Sequence, residues 1–185
     1  MRLDPRSPLV INTHELGRRP GSMRTMRLAV PAPTDMGIEL LGVPSGSPVE
    51  VDVRLESVME GVLASGRADV TLRGECARCL DSIEDQLEVQ FQELYVYPES
   101  EAEEDEASRL YGELLDLEPV LRDSVVLALP FRPVCRQDCP GLCVDCGARL
   151  ADDPGHAHED LDPRWAALSG LMTTETGDGA SRDEE

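Results

Sequence analysis

Eight side chains of the types that bind zinc occur in four close pairs along the chain. Cysteine thiolates and histidine imidazoles are the usual ligands of structural zinc, and pairs a few residues apart can reach one ion. Eight donors are the number that two tetrahedral sites need, with no position left open for water, which is the structural rather than the catalytic pattern. The sequence therefore predicts two structural zinc ions. The predicted ligands are Cys76, Cys79, Cys135, Cys139, Cys143, Cys146, His156 and His158.

These four pairs can be divided between two ions in two ways. In the first division, the upstream CxxC pair joins the CxxxC pair across a long stretch of chain, and the second CxxC pair joins the HxH pair locally. In the second division, the CxxxC pair and the second CxxC pair share one ion, which leaves the upstream pair to the histidines. We favour the first. Gly147 directly after Cys146 suits the tight turn that lets the paired thiolates of Cys143 and Cys146 converge on one ion. Burial as small apolar residues would account for one or two cysteines, but not for four spaced pairs.

Composition favours a single globular domain in the cytoplasm. The chain has 185 residues, 41% of them hydrophobic, and it contains no run of about 18 apolar residues that could span a membrane. No apolar segment of a secretory signal follows the first residues, so we expect no export and no membrane contact. In a reducing cytosol, six cysteines favour metal over disulfides. We expect a flexible N-terminus over 1–8, one domain over 9–172 and a disordered acidic tail over 173–185.

Charge is distributed unevenly. The chain has a net charge of −20, and its 17 basic residues are all arginines, which is typical of a G+C-rich genome. Residues 1–30 contain six arginines and two acids, a balance of +4, so the remaining 11 arginines and 35 acids carry −24. An acidic body repels a phosphate backbone and attracts a basic protein. The predicted contacts for RNA or a protein partner are therefore in the basic segment: Arg18, Arg19, Arg24 and Arg27.

The predicted elements form an α+β fold. Apolar and polar residues alternate over 49–55, 62–72 and 87–97, which predicts an antiparallel β-meander whose second hairpin carries the upstream CxxC. Six acids among residues 99–106 predict a mobile loop over 98–108. Asp116 is the expected N-cap of an amphipathic helix that Pro130 ends, and Asp162 with Pro163 predicts another helix start. We expect a few helices to pack on the meander, followed by a zinc-bound segment over 135–158.

Four motifs, in this order, resemble the YceD family of large ribosomal RNA subunit accumulation proteins. They are GECARCL from Gly74, DSVVLALP from Asp123, the CxxxCPGLCxxCG segment from Cys135 and DPRWAAL from Asp162. The resemblance covers residues 8–172. It implies a cytoplasmic, non-enzymatic factor in ribosome biogenesis that supports the synthesis, processing or stability of large-subunit (23S) ribosomal RNA. The implied partners are a precursor of that RNA, a basic ribosomal protein, or both. Similar proteins can carry CxC where this chain has His156 and His158, which supports both histidines as ligands.

Two other functions are compatible with some of the same residues. A redox or redox-sensing protein would use Cys76 and Cys79, but in thioredoxin-like proteins the CxxC opens a helix in a βαβ unit, whereas here it joins two antiparallel strands. A zinc hydrolase would need an open ligand position and a catalytic base, and no motif places either one. We therefore favour the non-enzymatic function, with no small-molecule substrate.

Overall fold

The computed structural model describes residues 3–100 and 107–158. The chain divides into two compact units, Met1–Gly141 and Leu142–Glu185. Within the described ranges, all named strands and the single helix lie in the first unit. No helix of the described ranges is long and apolar enough to cross a membrane.

A six-stranded sheet forms the main part of the first unit. Its strands are β2 (Met23–Pro31), β3 (Leu41–Gly42), β4 (Pro48–Ser57), β5 (Gly61–Glu75), β6 (Ser82–Val96) and β7 (Ser108–Arg109). The four long strands pair antiparallel in the order β2-β4-β5-β6, the short β7 runs parallel to β6, and the short β3 pairs with the end of β5. The predicted meander is confirmed as β4-β5-β6.

The alternating sequence decides which face of this sheet is buried. Successive side chains of a strand point to opposite faces, and in β4 the apolar positions Val49, Val51 and Val53 are buried while the acids between them face outwards. The apolar residues of β5 that face the same core lie on one side of the strand and are Val62, Ala64, Ala68, Val70 and Leu72. The buried face therefore consists mainly of valine, leucine and alanine, as the scarcity of aromatic residues predicts.

A second, two-stranded sheet and the helix complete the first unit. In this small sheet, β1 (Val10–Asn12) pairs antiparallel with β8 (Leu114–Asp116), and helix α1 (Glu118–Ala128) follows directly. The predicted N-cap at Asp116 is wrong, because this residue ends β8 opposite Val10, and Leu117 takes the cap position. The Asp116 carboxylate nevertheless accepts the backbone N–H of Glu118 at 3.0 Å, which satisfies one of the unpaired donors of the first turn.

The apolar face of α1 packs on β6, as expected. Leu121 and Val125 are buried in the common core, whereas Leu127 and Ala128 in the last turn of the helix are exposed. Leu129 is extended because it precedes Pro130, and a residue before proline disfavours the helical conformation.

The α+β prediction needs a partial correction. The described residues are mainly β, with one short helix rather than several. The long pairing of β5 with β6, 15 residues in each strand, is the physical reason for the excess of sheet. The predicted helix after Asp162 and the tail over 173–185 lie outside the described residues. So do residues 101–106 of the predicted acidic loop, and Ser108, the last residue of that loop, belongs to β7.

Candidate metal centres

The upstream CxxC forms the turn that joins β5 to β6, as predicted. Backbone hydrogen bonds close this turn: the N–H of Cys76 donates to the carbonyl of Asp81 at 2.8 Å, and the N–H of Leu80 donates to the carbonyl of Cys76 at 2.9 Å. Leu80 has a φ of 60°, a left-handed conformation that is unusual for leucine. The turn points the thiols of Cys76 and Cys79 to one side, where both are buried.

The segment after α1 brings the second cysteine pair to this turn. The N–H of Ala77 donates to the carbonyl of Pro133 at 2.8 Å, so the chain before Cys135 lies directly against the CxxC turn. The Arg78 guanidinium then donates through one terminal nitrogen to the carbonyl of Cys139 at 2.8 Å and to that of Gln137 at 3.4 Å. The two cysteine pairs are thus joined by hydrogen bonds in addition to any metal.

The four sulfurs of this first cluster have the spacing of a tetrahedral zinc site. All four Sγ atoms lie within 4.8 Å of one another. The Sγ atoms of Cys76 and Cys139 are 3.9 Å apart, and those of Cys79 and Cys135 are 3.6 Å apart. A zinc–sulfur bond of about 2.3 Å gives tetrahedral edges of about 3.8 Å. All six cysteines of the chain are free thiols, so the proximity does not come from disulfide bonds.

The electrostatics of this cluster also suit a cation. Burial disfavours the Cys76 thiolate, but the backbone N–H groups of Cys135, Arg78 and Cys79 outweigh burial and lower its pKa to about 6. Burial and the neighbouring sulfurs raise the pKa of the Cys79 thiol to about 12. Four thiols this close cannot all ionise by themselves because like charges repel. A divalent cation removes that restriction and favours the thiolates.

The second candidate centre lies in the second unit and begins with a tight knuckle. The N–H of Cys143 donates to the carbonyl of Ala148 at 2.8 Å, and the N–H of Gly147 donates to the carbonyl of Cys143 at 2.9 Å. Gly147 has a φ of 73°, which glycine adopts without the steric penalty of a side chain. The backbone N–H groups of Cys146 and Asp145 lower the pKa of the Cys143 thiol to about 6.

Two histidines complete this second cluster. The Nε2 atom of His156 lies 3.2 Å from the Sγ of Cys146 and 2.9 Å from the Nε2 of His158. With the Sγ of Cys143, the four ligand atoms lie within 4.8 Å of one another. The distances of 3.2 Å and 2.9 Å are within about half an ångström of the ligand–ligand distances in a tetrahedral zinc site. A carboxylate oxygen of Asp153 is 3.7 Å from the Nδ1 of His156, the outer partner that a metal-bound histidine usually has.

The eight donors are therefore grouped as in the first of the two divisions that the sequence allowed. The buried cluster consists of Cys76, Cys79, Cys135 and Cys139, and the exposed cluster consists of Cys143, Cys146, His156 and His158. Each donor set fits one zinc ion and fills its four ligand positions. Metal binding itself stays a prediction.

The predicted basic contact segment is largely neutralised within the fold. Three of its four arginines pair with carboxylates, and Arg18 also lies over the ring of Tyr97, 4.6 Å from its centre. In the described ranges only Arg19 of this segment has no ion pair. The pairs are Arg18 with Glu99 at 3.2 Å, Arg24 with Glu15 at 3.0 Å and Arg27 with Asp52 at 2.7 Å.

Sequence reasoning missed Arg78. The side chain of this residue bridges the two halves of the buried cluster. The signal that was available is the residue type, since an arginine between two metal-binding cysteines brings a positive charge and five donors to a thiolate site.

Comparisons with known proteins agree with this arrangement of motifs. The family model of the large ribosomal RNA subunit accumulation protein YceD matches residues 64–172. An uncharacterized protein of Mycobacterium tuberculosis is 45% identical over 174 residues, which cover 92% of this chain and 84% of the relative. An uncharacterized protein of Mycobacterium leprae is 38% identical over 181 residues, covering 96% of this chain and 83% of the relative. No solved structure matches. The family match spans both candidate metal centres, and the chain belongs to the YceD family of large ribosomal RNA subunit accumulation proteins.

Proposed function

We propose that this protein is a non-enzymatic ribosome-biogenesis factor that supports the synthesis, processing or stability of large-subunit ribosomal RNA, and that two zinc ions brace its fold. The observation that carries the proposal is the convergence of eight donors into two four-ligand sets, in a chain whose family is described by ribosomal RNA accumulation. Zinc would supply structural crosslinks, because neither set keeps a ligand position for water or substrate.

The partner is a precursor of large-subunit ribosomal RNA, a basic ribosomal protein, or both, and the place of action is the cytoplasm. The charge of −24 outside the first 30 residues favours a basic protein as one attachment. The redox alternative lacks support, because Cys76 has no solvent exposure and a reactive CxxC needs an accessible thiolate.

Two measurements test the two parts of this proposal. Elemental analysis of protein purified under reducing conditions should find two zinc ions per chain, and finding none would refute the metal sites. Deletion of the gene should lower the level of mature 23S ribosomal RNA, and the wild-type gene should restore it. The variant Cys76→Ser should fail to restore that level, whereas the matched variant Ser65→Ala, on the exposed face of β5, should succeed. An unchanged level of 23S RNA in the deletion strain would refute the cellular function.

A further inference from the structure

A groove without acidic residues lies beside the buried cysteine cluster. It has a volume of about 500 Å³ and is lined by Ala77, Arg78, Arg132, Val134 and Gln137. The grooves on the face of the main sheet and near the N-terminus each include an acid, Asp52 in one and Glu15 in the other. In a chain with 37 acids and 17 arginines, a groove lined by two arginines and no carboxylate is an exception.

Within the described ranges, the two arginines of this groove differ from most others in having no carboxylate partner. Eight arginines of the described ranges form ion pairs with aspartate or glutamate. Arg78 uses one terminal nitrogen for two backbone carbonyls, and its other two nitrogens have no protein partner in the described ranges. Arg132 is exposed and makes no ion pair in the part of the chain that the structure describes. The positive charge at the groove is therefore available to an external anion.

An exposed aromatic residue directly before Arg132 in the chain adds a second kind of contact. Phe131 is 91% exposed, whereas Phe91, the chain's other phenylalanine, is buried in the core. The segment that carries Phe131 and Arg132 is held in place, because Pro133 is fully buried and its carbonyl accepts the N–H of Ala77. An exposed aromatic ring next to an exposed guanidinium group is the combination by which proteins stack on bases and bind phosphates of single-stranded nucleic acid.

The surrounding charge restricts what can bind. A four-thiolate site with zinc bound would have a formal charge of −2, which Arg78 partly offsets, so Arg132 supplies the positive charge of the groove that remains for a phosphate group. The acidic remainder of the chain repels an extended duplex. A short single-stranded segment presents few phosphates and an accessible base face, so it matches a small groove better than a helix does.

We propose that this groove binds single-stranded RNA, with Arg78 and Arg132 contacting phosphate groups and Phe131 stacking on a base. The proposal rests on the proposed function, to which it adds the RNA-contacting surface. The groove is a different surface from the basic segment of residues 18–27, in which most arginines are paired with carboxylates within the fold.

Binding of a fluorescently labelled single-stranded RNA about ten nucleotides long to the zinc-loaded full chain tests the proposal. Arg132→Gln should make the negative slope of log affinity against log salt concentration shallower by about 0.7, the value for one phosphate contact on a single strand. Phe131→Ala should weaken binding at least about fivefold, because stacking contributes on the order of 1 kcal/mol or more per base. Arg6→Gln is the control, since Arg6 is exposed, has no ion pair in the described ranges and lies outside both the groove and the predicted contact segment, so that its replacement removes the same charge.

Each outcome decides for or against the groove. Unchanged zinc content and circular dichroism in all variants, with loss of RNA binding in Arg132→Gln and Phe131→Ala alone, would support it. Equal loss in the Arg6→Gln control, no binding at low salt, or equally strong competition by a polyglutamate peptide would overturn it, the last because the groove would then be a site for acidic protein segments. Normal 23S RNA in the deletion strain would contradict the cellular function without affecting this binding result.

Discussion

At the scale of single residues, Arg78 joins the two halves of the buried cluster. Its guanidinium crosses from the β5–β6 turn to the carbonyls of Gln137 and Cys139. Groups that orient metal ligands from outside typically contribute 10- to 100-fold to metal affinity. This side chain therefore positions ligands as well as lining the groove.

We predict that Arg78→Ala releases one of the two zinc ions to a competing chelator at a concentration about tenfold lower or more than in the wild type. Arg136→Ala is the matched control, because Arg136 pairs only with the exposed Asp138 at 3.5 Å. Chelator titration with a colorimetric zinc indicator measures the effect. Identical release from both variants would mean that the Arg78 bridge does not support the metal site.

The exposed pair of His14 and Glu113 gives a second prediction at this scale. The Nδ1 of His14 lies 2.9 Å from the Glu113 carboxylate, and this hydrogen bond, followed by the carboxylate's charge, raises the pKa of His14 above 6.5. Because the folded pKa is raised, the stabilising effect is present below pH 6.5 and is lost as the pH rises through the folded pKa. An NMR titration should show the raised pKa in the wild type and a value near 6.5 in Glu113→Gln. Equal pKa values in the two proteins would contradict the pairing.

At the scale of elements, close strand packing at the centre of β5 depends on a glycine. A side chain at Gly66 would meet the carbonyl oxygen of Asp52 at 2.2 Å and the ring of Phe91 at 2.9 Å. Gly66 sits in the row of core-facing positions between Ala64 and Ala68. The sheet therefore has no room for a methyl group at this position.

We predict that Gly66→Ala lowers the free energy of unfolding by about 1–3 kcal/mol, the usual cost of overpacking. Ser65→Ala, one position away on the outer face, should change it by less than about 0.5 kcal/mol. Urea denaturation followed by circular dichroism measures both. Equal stability of the two variants would show that the strands move apart without cost.

At the scale of the whole molecule, the two candidate metal centres would close loops of very different length. The buried cluster joins Cys79 to Cys135 across β6, β7, β8 and α1, whereas the exposed cluster joins Cys146 to His156 within one short segment. The entropy of loop closure grows with loop length, and metal binding energy is folding energy for the segment that it organises.

We predict that Cys76→Ser lowers hydrogen-exchange protection throughout β4, β5 and β6, because it removes the long-range crosslink. His158→Gln should lower protection mainly over residues 140–158. Hydrogen exchange measured by mass spectrometry on both variants, with zinc content determined in parallel, distinguishes the two effects. An equal loss of hydrogen-exchange protection throughout the chain in both variants would contradict separate structural functions for the two clusters.

The attachment to ribosomal precursors also belongs to the whole molecule. Replacement of Arg18, Arg19, Arg24 and Arg27 by serine should leave most of the association with large-subunit precursors in cell extracts, because three of the four arginines already have carboxylate partners. Sedimentation of the tagged protein with precursor particles measures it. If the variant kept its fold but no longer associated with the precursors at all, these four arginines would be the main contact.

The types and spacing of residues by themselves determined the eight candidate ligands, the three meander strands and the hairpin that carries the upstream CxxC. These features are local, since metal-binding pairs and strand alternation are properties of a few neighbouring residues. The grouping of the donors depends on the tertiary structure, because the return of the chain after α1, with Pro133 against Ala77, brings Cys135 and Cys139 to the turn. The same holds for charge: sequence locates the arginines, but only folding decides that, among the residues the structure describes, Arg24 and Arg27 meet carboxylates while Arg132 does not. Contacts between residues far apart in sequence leave no periodic pattern, and for this reason the groove beside the buried cluster was visible only in the folded chain.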